Sequence, residues 1–312
     1  MPNESVLNVP QELLILGAAV KAGMIDALNK GPMTAGELAR EIKGDPRSVW
    51  VVAEAMAELG YLSREEGKLR LSQEAAAMLY DEKAPNYTGF SFMHRYNLIK
   101  SWIYLPEIIQ TGQPHPREQN PENIKYFMAA MAQSARQSAQ ALAEFFLQKL
   151  GKGIKVLDIG GGPLNYARPF ASLGAQVTVL DLPEVVNQMA PALSETENIK
   201  MVPGDFNEGL PAGPFDLAFL GNICHIFGEP ENRELFKKVA AVLSPGGSIA
   251  VVDFIRGTGS MAAVFGVNML VNTQNGGTWT LEQYSTWLGD AGLSGVTFHS
   301  VAGRQILLAK KQ

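Results

Sequence analysis

Apolar positions recur at three- and four-residue intervals from Leu13 to about Tyr80, as in Leu13-Leu14-Ile15-Leu16 and Ile25-Ala27-Leu28, and this spacing predicts helices. Thr34, with Glu37 three residues later, is a capping-box start for a helix through Ile42 that stops at Gly44. Asp45 before Pro46 opens the next helix as N-cap and first helical residue, and it runs to Leu59-Gly60. Residues 61–63 and 68–71 then flank Glu65-Glu66-Gly67 as a short hairpin. Helix, helix, turn, helix and hairpin in this order predict a winged helix. Residues 85–145 are rich in Phe, Tyr, Trp and Met and are broken at Pro106, Pro114, Pro116 and Pro121. Helical repeats resume from Asn123, with Phe127, Met128, Met131, Phe145 and Phe146 on an apolar stripe. Such a stripe reads first as core and second as the wall of an apolar ligand site.

From Ile154 the grammar changes. Residues 155–159, 176–180, 200–202, 215–221, 248–254, 295–300 and 304–309 read as strands. Residues 166–172, 183–189, 232–243 and 281–291 read as helices between them. Buried runs such as VLDIG and VTVLD predict a parallel, doubly wound sheet. Ser244-Pro245-Gly246-Gly247 predicts a tight turn into a strand.

Composition narrows the function. With 46% hydrophobic and 18% charged residues in 312, the chain buries a full core and is not disordered. Its 26 basic and 31 acidic side chains give −5, the wrong sign for a general nucleic-acid or anionic-membrane binder. The bias is also local: residues 1–90 hold 9 basic and 13 acidic side chains, and the third winged-helix segment carries Arg47 against Asp45, Glu54 and Glu58. A packing or dimerisation role is therefore expected of this module ahead of DNA binding. A single cysteine, Cys224, rules out internal disulfides and a Cys-built zinc cluster. His94, His115 and His299 show no metal spacing with one another or with Cys224, so no metal is expected. The opening MPNESVLNVPQ lacks the plan of a signal peptide, and the longest apolar stretch, 13–20, is too short to cross a bilayer. A cytoplasmic protein without membrane or nucleic-acid partners is the expectation.

The strand at 155–159 runs into Gly160-Gly161-Gly162-Pro163. Glycines at a strand-to-helix turn let the backbone approach a ligand that a Cβ would exclude. Asp181, 23 residues after Asp158, ends the next strand, where a carboxylate can accept both hydroxyls of a ribose. A dinucleotide fingerprint fits at Gly160 and Gly162 but fails at Asn165, and Asp158 would repel a pyrophosphate. S-adenosylmethionine carries an ammonium and a sulfonium and no phosphate, so it suits Asp158. A tight turn with no ligand is the bland alternative.

The runs VLDIGGGPLNYARPFASLGAQVTVLDLPEVV, GDF and NICHIFGEPENRELFKKVAAVLSPGGSIAVVDF resemble the class I methyltransferase domain of S-adenosylmethionine-dependent O-methyltransferases. More narrowly they are similar to small-molecule enzymes related to caffeate, flavonoid and acetylserotonin O-methyltransferases, and the resemblance spans essentially the whole chain. It implies a Rossmann-like doubly wound sheet preceded by an α-helical winged-helix domain. Residues 1–95 would form the dimerisation domain and 96–312 the methyltransferase domain, with 96–145 lining the substrate. It implies methyl transfer from S-adenosylmethionine, leaving S-adenosylhomocysteine, to a hydroxyl of an apolar, aromatic or polyketide-like small molecule, by a homodimer. Carried over position by position, Asp158, Gly160 and Gly162 would line the methionine part of the cofactor, Asp181 would hold the ribose, and Leu182 would lie beside the adenine. Asp205 would meet the adenine amino group and Phe206 would pack on its ring. His225 takes the place of the general base and Asp253 that of the acid orienting it, while Phe127, Met131, Phe265 and Met269 would line the acceptor pocket.

The chain also departs from that pattern. Leu164 replaces the last glycine of the turn, Asn207 replaces a closing aromatic, and Gly221 replaces a lysine four residues before the histidine. The His-Asp-Trp run becomes His225-Ile226-Phe227, and Gly276-Gly277 lead to Thr278-Trp279-Thr280 without the second carboxylate that flanks the base. A phenol has a pKa of about 10 and imidazole about 6.5, so a histidine takes the proton best as the oxygen bonds to the methyl group. With Asp253 as the remaining partner, a weaker or differently aimed base is expected. Carbon or nitrogen methylation, or cofactor binding without transfer, stays open on these residues. From other classes, a ligand-sensing transcription regulator, an NAD-dependent oxidoreductase and an inactive scaffold are the rivals.

Overall fold

A computed structural model describes residues 11–84, 86–116, 121–136, 138–193 and 198–312; the first ten residues, where no signal peptide is expected, lie outside them. The chain divides into two compact units, one of Met1–Lys100 with Gln119–Ala130 and the other of Ser101–Glu118 with Met131–Gln312. The division thus falls after Lys100, and it gives residues 119–130 to the first unit.

In the first unit, α1 (Gln11–Lys21), α2 (Met24–Lys30), α3 (Ala35–Glu41) and α4 (Pro46–Glu58) precede a hairpin of β1 (Leu62–Glu65) and β2 (Lys68–Leu71), followed by α5 (Gln73–Leu79). Thr34 accepts from Glu37 N while the Glu37 carboxylate accepts from Thr34 N at 2.8 Å, so the capping box forms in full. Asp45 accepts from Ser48 N at 2.8 Å and starts α4 with Pro46. Met33 pairs with Leu69 antiparallel in a single bridge beside the hairpin. Leu16, Leu28, Leu38, Ala53, Met56 and Leu69 form its core. Next in sequence come α6 (Gly89–Trp102), α7 (Leu105–Thr111) and α8 (Pro121–Arg136).

The second unit contains α9 (Ala139–Leu150), β3 (Lys155–Ile159), α10 (Ala167–Ser172), β4 (Gln176–Asp181), α11 (Pro183–Met189), β5 (Ile199–Pro203) and β6 (Phe215–Gly221). It continues with α12 (Glu229–Val242), β7 (Leu243–Asp253), β8 (Ile255–Arg256), α13 (Ser260–Asn272), β9 (Trp279–Thr280), α14 (Leu281–Asp290), β10 (Leu293–Val301) and β11 (Arg304–Lys311). Among the described residues, seven strands form one sheet in the order β10-β11-β7-β6-β3-β4-β5. One apolar cluster packs Phe236, Val239, Trp287 and Leu288 onto one face of the sheet, and a second packs Phe146, Ala167 and Phe170 onto the other.

The sheet is Rossmann-like but not wholly parallel, which corrects the sequence expectation. β11 runs antiparallel to both β7 and β10. Only Ala302 and Gly303, both at positive φ, join β10 to β11. Such a connection closes a hairpin, whereas a parallel crossover needs a dozen residues or more. The expected turn at Ser244-Pro245-Gly246-Gly247 is absorbed into β7 as an irregularity, where the register with β6 shifts between Phe215 and Leu217. α13, which periodicity did not reveal, is apolar nearly all round: SMAAVFGVNMLVN shows no polar face to mark a helix.

Candidate active site

The C-terminal ends of β3, β4, β6 and β7, the edge where open α/β sheets bind ligands, carry Asp158 with the glycine turn, Asp181, the approach to His225, and Asp253. At the end of β3 the chain turns through Gly160 at φ +68° and Gly162 at φ +43°. A Cβ on Gly160 would lie 2.4 Å from Ile223, and one on Gly161 would lie 2.6 Å from Asp158 Oδ2. These two glycines are therefore demanded by the protein's own packing. Gly162 N donates to Asp181 Oδ2 at 2.7 Å, and Leu182 N donates to Asp181 Oδ1 at 2.8 Å, so the carboxylate ending β4 is tied to the turn. Leu182 itself is exposed.

Asp158 is fully buried behind the turn, and its Oδ2 has no partner among the described residues. Burial, aided by the neighbouring Asp181 charge, lifts its carboxyl from 3.8 to about 7. Burial also raises Asp181, against the pull of its two backbone donors. Leu164 sits at φ +65°, the left-handed region that the replaced glycine would enter freely. Its side chain is wholly buried in the cluster with Val156, Tyr166 and Phe170, so its bulk goes into the core.

At the end of β6, Cys224–Ile226 form a tight helical turn that presents His225. The Asp253 carboxylate, at the end of β7, accepts from His225 Nδ1 at 2.6 Å and from His225 N at 3.1 Å. Its Oδ1 also accepts from Phe254 N at 2.8 Å. Both side chains are buried. With Nδ1–H committed to a carboxylate, the Nε2 lone pair is the basic one. The imidazole meets Phe265 of α13 edge to face at 4.9 Å, and Phe265 stacks on Phe254 at 4.0 Å.

The glycine pair that lacks its following carboxylate still supports His225. Gly277 N donates to His225 O at 2.9 Å, and a Cβ on Gly276 would fall 2.4 Å from that same oxygen. Thr278, buried, donates to Ala262 O at 3.0 Å and pins this segment to α13. Asn232, which sequence reasoning missed, turns its amide toward the carbonyls of Cys224, Phe227 and Gly228 at 2.9–3.1 Å. A polar side chain at a helix start, eight residues after Cys224, was its only signal.

A profile of the O-methyltransferase domain matches residues 105–294, more than half of the chain. The chain belongs to the O-methyltransferase family. This O-methyltransferase is 26% identical over 309 residues to the tetracenomycin polyketide synthesis 8-O-methyl transferase TcmO of Streptomyces glaucescens, covering 93% of this chain and 90% of the relative. It is 26% identical over 299 residues to a 3-hydroxy-5-methyl-1-naphthoate 3-O-methyltransferase of Streptomyces sahachiroi, covering 90% and 86%. A solved structure of PigF with SAH, a protein known from Serratia sp., shares the fold with a TM-score of 0.84 at 20% identity over 100% of both chains.

The O-methyltransferase uses S-adenosylmethionine as its methyl donor. The residues fit that group: two carboxylates border the turn, one with an orphaned buried oxygen, as suits a cationic tail and ribose hydroxyls and does not suit a phosphate. Asp205, after β5, caps its own turn by accepting from Asn207 N at 2.8 Å, next to Gly204, whose N donates to Asp181 O. Phe206 meets Phe227 edge to face at 5.5 Å, a protein contact that the sequence did not foresee. Of the expected acceptor wall, Phe265, Met269 and Met131 belong to the second unit; Phe127 belongs to the first, where its exposed ring meets His94 at 5.6 Å. Among the described residues, no three His, Cys, Asp or Glu side chains come together as metal ligands, and no helix is long and apolar enough to cross a membrane.

Proposed function

We propose that this enzyme methylates a hydroxyl of an apolar aromatic or polyketide-like small molecule, with His225 as general base. The observation that carries the reading is the His225–Asp253 pair, which leaves Nε2 free to accept a proton beside the aromatic face of Phe265. S-adenosylmethionine supplies an electrophilic methyl group on a sulfonium. Asp158, Gly160 and Gly162 would hold its methionine part, Asp181 its ribose, and Leu182, Asp205 and Phe206 its adenine. His225 Nε2 removes the hydroxyl proton as the oxygen attacks, and Asp253 steadies the resulting imidazolium. Phe265, Met269 and Met131 provide an adaptable apolar wall that orients the ring and excludes water. Polyketide and naphthoate acceptors in the names of two relatives support the same substrate class.

The first unit serves dimerisation in this reading. Trp50 and Val51, on the third winged-helix segment, are 53% and 48% exposed, an apolar surface of the kind a partner subunit covers. The test of function is His225→Ala against a panel of phenolic acceptors. Methyl transfer is expected to vanish while S-adenosylhomocysteine binds with unchanged affinity by calorimetry; equal turnover would remove His225 from the mechanism.

A further inference from the structure

Arg304, the first residue of β11, is a half-buried cation without a carboxylate partner among the described residues. Its Nη2 donates to Asn222 Oδ1 at 3.1 Å and to Tyr166 Oη at 3.2 Å. Its Nε is buried and has no acceptor among the described residues. Both partners are neutral, so they fix the guanidinium without balancing its charge. A buried donor left unmade carries a free-energy cost, and a buried charge without a counter-ion carries a larger one.

The position of Arg304 gives this a meaning. Asn222 follows β6 at φ +60°, three residues before His225. Tyr166 follows the glycine turn at the end of β3. The next residue of β11, Gln305, pairs with Asp253. Arg304 therefore braces the cofactor turn against the loop that carries the base, at the sheet edge where ligands bind. Asp158, within β3, does not pair with it, and its own Oδ2 is likewise without a partner among the described residues. A carboxylate is the group that answers both deficits of a guanidinium, by geometry as well as by charge.

We propose that Arg304 is an anion-recognition residue of this site, its guanidinium holding the carboxylate of a bound ligand. The inference rests on the reading that acceptor and cofactor bind along this edge. Two ligands can bring the carboxylate: the methionine tail of the cofactor, or an acceptor that bears an acid group. Asn222 and Tyr166 then act as positioning residues that hold the guanidinium ready.

The experiment follows the Arg304 Nε–H resonance in protein labelled with nitrogen-15 arginine, assigned by its disappearance in Arg304→Lys. Titrations use two matched pairs: S-adenosylhomocysteine with methylthioadenosine, which lacks the carboxylate, and a hydroxynaphthoate with its methyl ester. The resonance is expected to move with a carboxylate ligand and to stay with its carboxylate-free counterpart. Arg304→Gln should weaken that ligand about tenfold or more and leave its counterpart within about twofold. A response to S-adenosylhomocysteine assigns the anion to the cofactor; a response to the hydroxynaphthoate assigns it to the acceptor. Silence toward both carboxylates, or equal weakening of both members of each pair, overturns the inference while the His225 test of methyl transfer stands apart. Failure of the unaltered enzyme to bind S-adenosylhomocysteine overturns it together with the reading on which it rests.

Discussion

Asp253 grips His225 twice, with Oδ1 at 2.6 Å from the ring Nδ1 and Oδ2 at 3.1 Å from the backbone N–H. One carboxylate thus sets both the tautomer of the imidazole and the path of the chain that carries it. In the proposed mechanism, this double hold keeps the aim of His225 where a second flanking acid is missing.

Asp253→Asn keeps the size of the side chain and removes the charge that favours Nδ1–H and the imidazolium. The turnover number is expected to fall by roughly 10²–10⁴-fold. Affinity for S-adenosylhomocysteine should not move. Steady-state kinetics with calorimetry on the same preparation separates the two.

Gly276→Ala tests the support from beneath. The added methyl would press on His225 O at 2.4 Å, on Thr273 Oγ1 at 2.5 Å and on Ile226 O at 2.7 Å, so the base must shift. A displacement approaching an ångström costs about 10²-fold in rate. The expected result is that loss in turnover with cofactor affinity retained; a fully active variant would show that the loop yields elsewhere.

Stability should depend on pH through Asp158. The unfolded chain releases this proton near 3.8, while the folded protein keeps it to about 7. Between those values the unfolded state binds fewer protons, so stability falls as pH rises. Asp158→Asn removes that loss. Its Tm, measured by thermal melts from pH 4 to pH 8, should exceed that of the unaltered protein most at the neutral end and converge toward it in acid. Asp181, raised in the same direction, leaves a remnant of the slope in the variant.

Leu164→Gly sets two effects against each other. It relieves a left-handed φ that costs a leucine about 1–2 kcal/mol, and it empties a fully buried site whose loss costs about 3–5 kcal/mol. Lost packing outweighs relieved strain, so urea unfolding should show a net destabilisation of about 2 kcal/mol. A more stable variant would mean that the backbone strain exceeds the value of the packing.

Much of this architecture is legible in residue order because its signals are local. Thr34 with Glu37, and Asp45 with Pro46, announce two helix starts through hydrogen bonds that close within three residues. The strands at 155–159 and 215–221 stand where their apolar runs put them. Strand direction is different: it depends on which strand is the neighbour, and Ala302-Gly303 alone held the clue that β11 turns back. Distance along the chain also hid the site's supports. Asn232 and Arg304 reach the loop that carries His225 from segments whose composition announces nothing. Phe206 was expected against a ligand, yet a protein ring 21 residues away, Phe227, already meets it. A side chain's partner in space is not written in its spacing.

The placement of β11 between β7 and β10 also imposes an order on assembly. β10 touches the sheet only through β11, which the ribosome makes after it. While the chain emerges, β10 has nowhere to dock and β7 keeps a bare apolar edge, a surface that chaperones bind and that other nascent chains can pair with. Residues 304–311 cover that edge as β11. They bring a backbone neighbour to Asp253, so this edge of the sheet is complete only after β11 has followed β10.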